Sequence, residues 1–210
     1  MVFSSAVFIF IFLLIILFLY YIFPNKFRNY ILLIASIFFY AWGEPVFVLM
    51  MIFSIWVNFF MAILLEKYKK DKKKSILTLA VIFNLGILVM FKYTNFIINN
   101  INSIFNIDIY VPDISLPIGI SFFTFQALSY IIDAYREITP VQHKLVNIAL
   151  YISFFPQLIA GPIIKYHEIS SQLSSRTHSS ELIAAGFKRF IMGLSKKLLI
   201  ANVMGNIADQ

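Results

Sequence analysis

Ala6 to Phe23 is a run of eighteen apolar residues without a charge. The hydrocarbon core of a membrane is ~30 Å thick and takes ~20 helical residues to cross. In lipid every backbone N–H and C=O must be satisfied within the segment, so such a run has one regular solution, a helix. No basic residue precedes it and no small-residue cleavage site follows, which predicts a retained span rather than a signal peptide. Pro24 ends it. Composition extends the conclusion to the rest of the chain: 13% of residues are charged and 60% hydrophobic, against about 25% charged in soluble domains. The expected fold class is all-α, a polytopic transmembrane helix bundle, with residues 1–210 forming a single transmembrane domain. The chain has no cysteine, which excludes disulfides and thiol chemistry.

Charge orients the spans. Glu66 to Lys74 carries six lysines in nine residues. The positive-inside rule places that loop in the cytoplasm; a patch for anionic lipid or polyphosphate is the other reading. Counting back, the turn at Gly43-Glu44-Pro45 lies outside, the Lys26/Arg28 loop inside and Met1 outside. This treats Tyr30 to Trp42, only thirteen residues, as a short span before a full one from Val46 to Leu65. A single re-entrant unit is the alternative. Asn58, a lone polar residue there, is expected to bond across to a neighbouring helix. Ile76 to Phe91 makes the next span, with Lys92 and Tyr93 as interfacial anchors. Asn95 to Ser115 reads as an outer loop with a short surface helix. The net charge of +7 points to cytoplasmic loops and lipid headgroups rather than nucleic acid.

Leu116 to Arg136, LPIGISFFTFQALSYIIDAYR, is apolar enough for a membrane but patterned. On a helix Gln126, Ser129, Tyr130, Asp133, Arg136 and Glu137 share one face. Ala127, Leu128, Ile131, Ile132, Ala134 and Tyr135 take the other. Pro117 fits the first turn. A carboxylate at mid-membrane depth costs roughly 2.5–3.5 kcal/mol on insertion scales, so such groups face a bundle interior or a wet cavity. Asp133 and Arg136 could instead pair with each other at the interfacial end, although Gln126, two turns deeper, then goes unexplained.

Leu145 to Ile164, LVNIALYISFFPQLIAGPII, contains Pro156 and Pro162, with Gly161 beside the second. Each proline removes a backbone donor. The stretch reads either as a proline-kinked span or as a broken helix or re-entrant hairpin beside a cavity. The candidate cavity-lining residues are Gln126, Tyr130, Asp133, Arg136, Pro156, Gln157, Gly161, Pro162 and Lys165. Glu181 to Ala208 is expected to form an amphipathic or partly inserted helix. No metal site is expected: His143, His167 and His178 have neither a paired carboxylate nor a second histidine one turn away, and a metal needs three or four convergent ligands. No nucleotide-cradling glycine loop and no nucleophile elbow is present.

Met1-Val-Phe-Ser-Ser, Phe38-Phe-Tyr-Ala-Trp42, Phe91-Lys-Tyr93, the Leu116 to Arg136 stretch and Phe154-Phe-Pro-Gln-Leu-Ile-Ala-Gly-Pro-Ile163 together resemble the membrane-bound O-acyltransferase (MBOAT) family, in its alginate O-acetyltransferase-like branch. Arg176-Thr-His178 and Gly193-Leu-Ser-Lys-Lys197 fit the same resemblance. It implies a helical bundle around a tunnel, cut to its N-terminal part, that moves an acyl group from a cytoplasmic donor such as acetyl-CoA to a hydroxyl. The partners it implies are the lipid bilayer, the acyl donor, and an exported polysaccharide or a partner acetyltransferase protein, in the inner (plasma) membrane. The family's catalytic histidine lies in a later membrane helix, which the resemblance places beyond Gln210. It therefore assigns that role to none of His143, His167 and His178, and no catalytic residue is expected within this chain. A transporter or channel and a non-catalytic membrane scaffold are the alternative readings.

Overall fold

The computed structural model describes residues 5–208 apart from 113, 159, 160 and 163. Met1, whose outward placement the topology requires, lies outside the described residues, as do Asp113 and three residues of the proline-rich stretch, Ile159, Ala160 and Ile163. Gln210, beyond which the resemblance places the catalytic histidine, also lies outside them. Every regular element among the described residues is helical. A π-helical turn, Phe8–Phe12, leads into α1, Leu13–Ile22. There follow α2 (Asn25–Gly43), α3 (Phe47–Lys67), α4 (Lys70–Lys92) and α5 (Thr94–Phe105). The second half holds α6 (Ile120–Tyr135), α7 (Leu145–Ser153), α8 (Phe155–Leu158) and α9 (Tyr166–Ser174). Finally α10, Ser180–Lys196, continues through a π-helical turn, Lys197–Ala201, into α11, Asn202–Ala208.

In the first half of the chain two boundaries differ from the sequence expectation, each for a local reason. Pro24 holds Phe23 extended, and α2 starts at once behind it. The polar residues 25–29 are therefore helical, and α2 has nineteen residues rather than the thirteen read from its apolar part. The lysine cluster is likewise not a loop: Lys67 ends α3, only Tyr68 and Lys69 separate α3 from α4, and the other four lysines lie in the first turn and a half of α4. The surface helix expected after Tyr93 is α5, which Asn106 ends in the left-handed conformation at φ 55°.

Among the described residues, Phe47–Lys67 and Asp71–Lys92 are long and apolar enough to cross a membrane; Phe8–Ile22 and Leu145–Leu158 are shorter apolar helices. Large side chains such as Phe10, Phe18, Ile34, Trp42, Leu49, Phe53 and Ile82 stand exposed around the outside. A soluble monomer does not tolerate an apolar surface of that extent, whereas lipid does. α6 sits at the centre, packed against α3, α4, α7, α8 and α9. Met51, Ala62, Leu65, Phe123, Ala127, Tyr130 and Ile148 form the sealed core around it.

α3 and α4 are joined by a reciprocal amide pair. Asn58 donates to Asn84 at 3.1 Å, Asn84 donates back at 2.7 Å, and each amide also donates to the carbonyl four residues earlier. Asn58 is thus the interhelical hydrogen bond that its sequence context predicts. Asn58→Leu leaves the buried Asn84 amide without its partner, at a cost of about 1–3 kcal/mol. Asn58→Leu/Asn84→Leu removes both amides and recovers most of that loss. Thermal unfolding of the four proteins of this cycle in detergent checks it: additive losses would mean that the pair is not coupled.

The chain breaks where the prolines predict. α7 stops at Ser153, Phe154 leaves the helical region, and α8 makes one turn with Pro156 near its start, where a missing N–H does no harm. The N–H of Phe155, freed by the break, donates to Ser36 Oγ at 3.2 Å, and Ser36 itself donates to Leu32 O at 2.7 Å. Phe8, Phe12 and Phe39 surround the Phe155 ring at 5.4–6.1 Å. Aromatic pairs of this geometry add about 0.5–1.5 kcal/mol each beyond burial, so the break is held rather than loose.

Candidate functional site

α6 begins three residues after Pro117, later than expected. Ile120 N–H donates to Pro117 O at 3.2 Å, and Gly119, at φ 78°, turns the chain into the helix. The far end closes with Ile138 N–H on Asp133 O (3.1 Å) and Glu137 N–H on Ala134 O (3.3 Å), Glu137 taking the left-handed position at φ 59°. Lys73, from the lysine-rich end of α4, bonds Glu137 and holds its carboxyl below the ordinary carboxylate range. Glu137 thus lies past the helix, not on its stripe.

The stripe divides. Gln126, Tyr130 and Asp133 are buried, Ser129 is half-buried and Arg136 is exposed. The opposite face is buried too at Ala127, Leu128, Ile131 and Ala134, although Ile132 stands exposed and Tyr135 half-buried, so protein covers most of α6 on both sides. The two-faced reading fails because α3 and α4 cover what a lone amphipathic helix would turn to lipid. Asp133 does not pair with Arg136. Its Oδ2 lies 2.9 Å from His167 Nδ1 and accepts the His167 backbone N–H at 3.2 Å.

His167 is the second residue of α9, so the Asp133 carboxylate caps that helix from another part of the chain. The side chain of Asp133 is 7% exposed and that of His167 33%. With the carboxylate ionised, the hydrogen of a neutral His167 sits on Nδ1 and Nε2 is the free acceptor.

Three tyrosines pack behind it. The Tyr166 ring lies 4.8 Å from that of Tyr130 and 5.2 Å from that of Tyr151. Tyr151 donates to Ile164 O at 2.8 Å, and Tyr130 Oη accepts the Gln142 N–H at 3.3 Å. Burial pushes the Tyr166 phenol up from its ordinary range, against a hydrogen bond with the Gln142 side chain that pulls it down. Gln126 donates to Gln157 across the helix break at 3.2 Å.

A cavity of about 390 Å³ is walled by residues of α1, α7 and α9 and by the break at Phe154. Of the nine residues expected to line a cavity, it takes Pro156 and Gln157. Gln126, Tyr130 and Asp133 are sealed in the packed cluster; Arg136, Pro162 and Lys165 are exposed; Gly161 is half-buried, its N–H on Gln157 O at 3.1 Å. The wall is supplied instead by α1 and α9, which approach only through tertiary packing. His167, Tyr151 and Tyr166 escaped the sequence reading for the same reason: Asp133 and His167 are 34 positions apart, and no local spacing links them. His143 lies 3.1 Å from Glu66 at the surface, and His178 lies 3.3 Å from Tyr20 Oη.

Residues 34–210 match the MBOAT, membrane-bound O-acyltransferase family. The chain is 41% identical over 217 aligned positions to a protein of Azotobacter vinelandii named probable alginate O-acetylase AlgI, covering all of this chain and 43% of that protein. The protein of that name from Pseudomonas aeruginosa is also 41% identical, with all of this chain and 41% of the relative covered. A peptidoglycan O-acetyltransferase of Helicobacter pylori is 32% identical, over 85% of this chain and 39% of its own length. No solved structure matches the chain. This chain therefore spans about two-fifths of the length of these curated relatives. The matched region contains the enclosed helix α6, the break after α7 and the Asp133–His167 pair: the chain belongs to the membrane-bound O-acyltransferase family.

Proposed function

We propose that this chain is part of a multi-pass enzyme of the inner (plasma) membrane that O-acetylates an exported polysaccharide such as alginate. The observation that carries this reading is the identity of 41% across the whole chain to relatives named for alginate O-acetylation. The acetyl group comes from a cytoplasmic donor, acetyl-CoA, and passes to a hydroxyl of the polysaccharide directly or through a partner acetyltransferase protein. The base that activates the hydroxyl, typically worth about 10²–10⁴-fold, is the family's histidine in a later membrane helix, beyond Gln210. Residues 1–210 contribute architecture: the buried polar face of α6, the held break at Phe154, and Lys165, Lys196 and Lys197 as charges that attract a phosphorylated donor. Transfer is favoured over permeation or scaffolding because the named relatives are acetylases and an acetyltransferase.

A chimera tests this. Residues 1–210 replace the aligned segment of the Azotobacter vinelandii relative, and acetyl ester on the exported polysaccharide is measured in a strain lacking that relative. The expected result is ester from the chimera and none from residues 1–210 alone, at equal membrane insertion. A stably inserted chimera that makes no ester sinks the proposal. Ester from residues 1–210 alone would move the catalytic base onto one of His143, His167 and His178.

Orientation has its own test. Ser75 is exposed at the lysine-rich end of α4, in a chain without cysteine. A Ser75→Cys variant should react with a membrane-impermeant maleimide only after the cells are permeabilised. Labelling of intact cells would invert the topology.

A further inference from the structure

Beside the cavity of about 390 Å³ lies a smaller one, about 130 Å³, and the two share Tyr20, Gln172, Leu173 and Arg176. Their linings are opposite in character. The smaller is lined by Asn25, Arg28 and Asn29 at the start of α2 and by Ser174, Ser175 and Arg176 at and just beyond the end of α9. The larger is walled mainly by apolar side chains, among them Leu13, Ile16, Leu17, Leu32, Leu150 and Phe154. Neither holds an aspartate or glutamate among the described residues.

We infer that the two cavities together form a binding site for one phospholipid with a net-negative head group, its phosphate between Arg28 and Arg176 and an acyl chain in the apolar chamber.

Depth supports this. The polar mouth sits at the Pro24 turn, where α1 ends and the polar start of α2 begins. From Tyr20 at the mouth to Leu13 in the chamber wall is about 10 Å along α1, at ~1.5 Å per residue. Head and tail of a phospholipid are arranged the same way, with charge at the interface and hydrocarbon beneath. α1 turns its opposite face, with Leu14 and Phe18, outward, so this one helix separates the chamber from the surrounding acyl chains.

Charge supports it as well. Arg28 and Arg176 are both half-buried, and neither has a carboxylate partner among the described residues. The Arg28 guanidinium stacks over the Tyr20 ring at 4.9 Å, and Arg28 Nε donates only a long bond, 3.4 Å, to Phe23 O. Asn29 is already committed, its amide donating to Asn147 Oδ1 and Leu173 O at 2.8 Å each. The mouth thus brings two guanidinium groups together, one from the start of α2 and one from just beyond α9, and guanidinium forks suit phosphate oxygens. A cavity of about 390 Å³ is in the ~300–1,000 Å³ range of ligand sites. The inference does not depend on the acyl-transfer reading, because nothing in it involves a reaction.

The test uses the purified chain reconstituted in bilayers of phosphatidylcholine with a minor share of phosphatidylglycerol. It is then re-extracted in mild detergent and analysed by native mass spectrometry. One phosphatidylglycerol should stay bound in preference to phosphatidylcholine. Arg28→Gln/Arg176→Gln should lower that retention about tenfold, the loss expected when charge-assisted bonds to phosphate are removed. Arg28→Lys/Arg176→Lys, which keeps the charge but loses the fork, should fall between the wild type and the glutamine pair. Free coenzyme A should not displace the lipid. Leu17→Trp, which fills the chamber and leaves both arginines in place, should also lower retention; it is the variant to read if the glutamine pair loses helical content. Equal retention of the two lipids, wild-type retention by the glutamine pair or by Leu17→Trp, or displacement by coenzyme A would each overturn the inference.

Discussion

Asp133→Leu lowers acetylation by the chimera at least about tenfold and destabilises the protein by about 3 kcal/mol. The substitution removes the acceptor for two donors, the His167 ring at 2.9 Å and its backbone N–H at 3.2 Å. Leaving a buried donor without its acceptor costs about 1–3 kcal/mol; two donors lose theirs here, and the half-exposed imidazole, which water reaches, contributes the smaller share. The effect on activity follows because Asp133 positions α9 against α6, and Tyr166 and Tyr151 pack on that junction. Asp133→Asn keeps an oxygen for the backbone N–H and should lose less than half as much stability. Asp113→Leu is the control; Asp113 lies outside the described residues, in the stretch before α6. The measurements are melting temperature in detergent and acetyl ester at matched expression. Equal ester from the Asp133→Leu and Asp113→Leu chimeras, or an unchanged melting temperature for Asp133→Leu, would remove Asp133 from the site.

Gly119→Ala should destabilise the protein by about 2–4 kcal/mol. Gly119 sits at φ 78°, where a residue with a Cβ pays roughly 1–2 kcal/mol. A Cβ there would also stand 2.8 Å from the Leu158 carbonyl oxygen, a backbone atom that cannot rotate away. The clash separates the start of α6 from the end of α8, the contact that orients the break. Gly86→Ala provides the contrast. Gly86 lies inside α4 with nothing within 4 Å of its added Cβ, and alanine in a helix interior is worth up to about 1 kcal/mol over glycine. Opposite shifts in melting temperature are therefore expected from the same chemical change at two positions. A neutral or stabilising Gly119→Ala would mean that α6 does not enter through this turn.

The lysine-rich start of α4 and the polar start of α2 show where sequence reading errs in detail. Both read as non-helical because their residues are charged or polar. A helix that emerges from lipid continues into water at little cost, since its backbone bonds are internal and its side chains are solvated. Hydrophobicity therefore marks where a helix is buried in lipid and understates where it begins.

By itself the sequence determined the helical class, the approximate extents of α1, α3 and α4, an interruption of the helix near Pro156 as either kink or break, and the polar pattern of α6. These follow from local chemistry: runs of apolar side chains, the missing N–H of proline, and the 3.6-residue period that groups Gln126, Tyr130 and Asp133. Tertiary structure alone decided what those groups meet. Asp133 meets His167 and not its neighbour Arg136, because α9 returns across α6. Gly119 needs its missing side chain because Leu158 arrives from another helix. The cavity draws its walls from residues as far apart as Leu13 and Arg176. Periodicity tells a helix which face is polar, but the partner of a polar face is set by where the chain comes back, and that depends on the packing of all the helices at once.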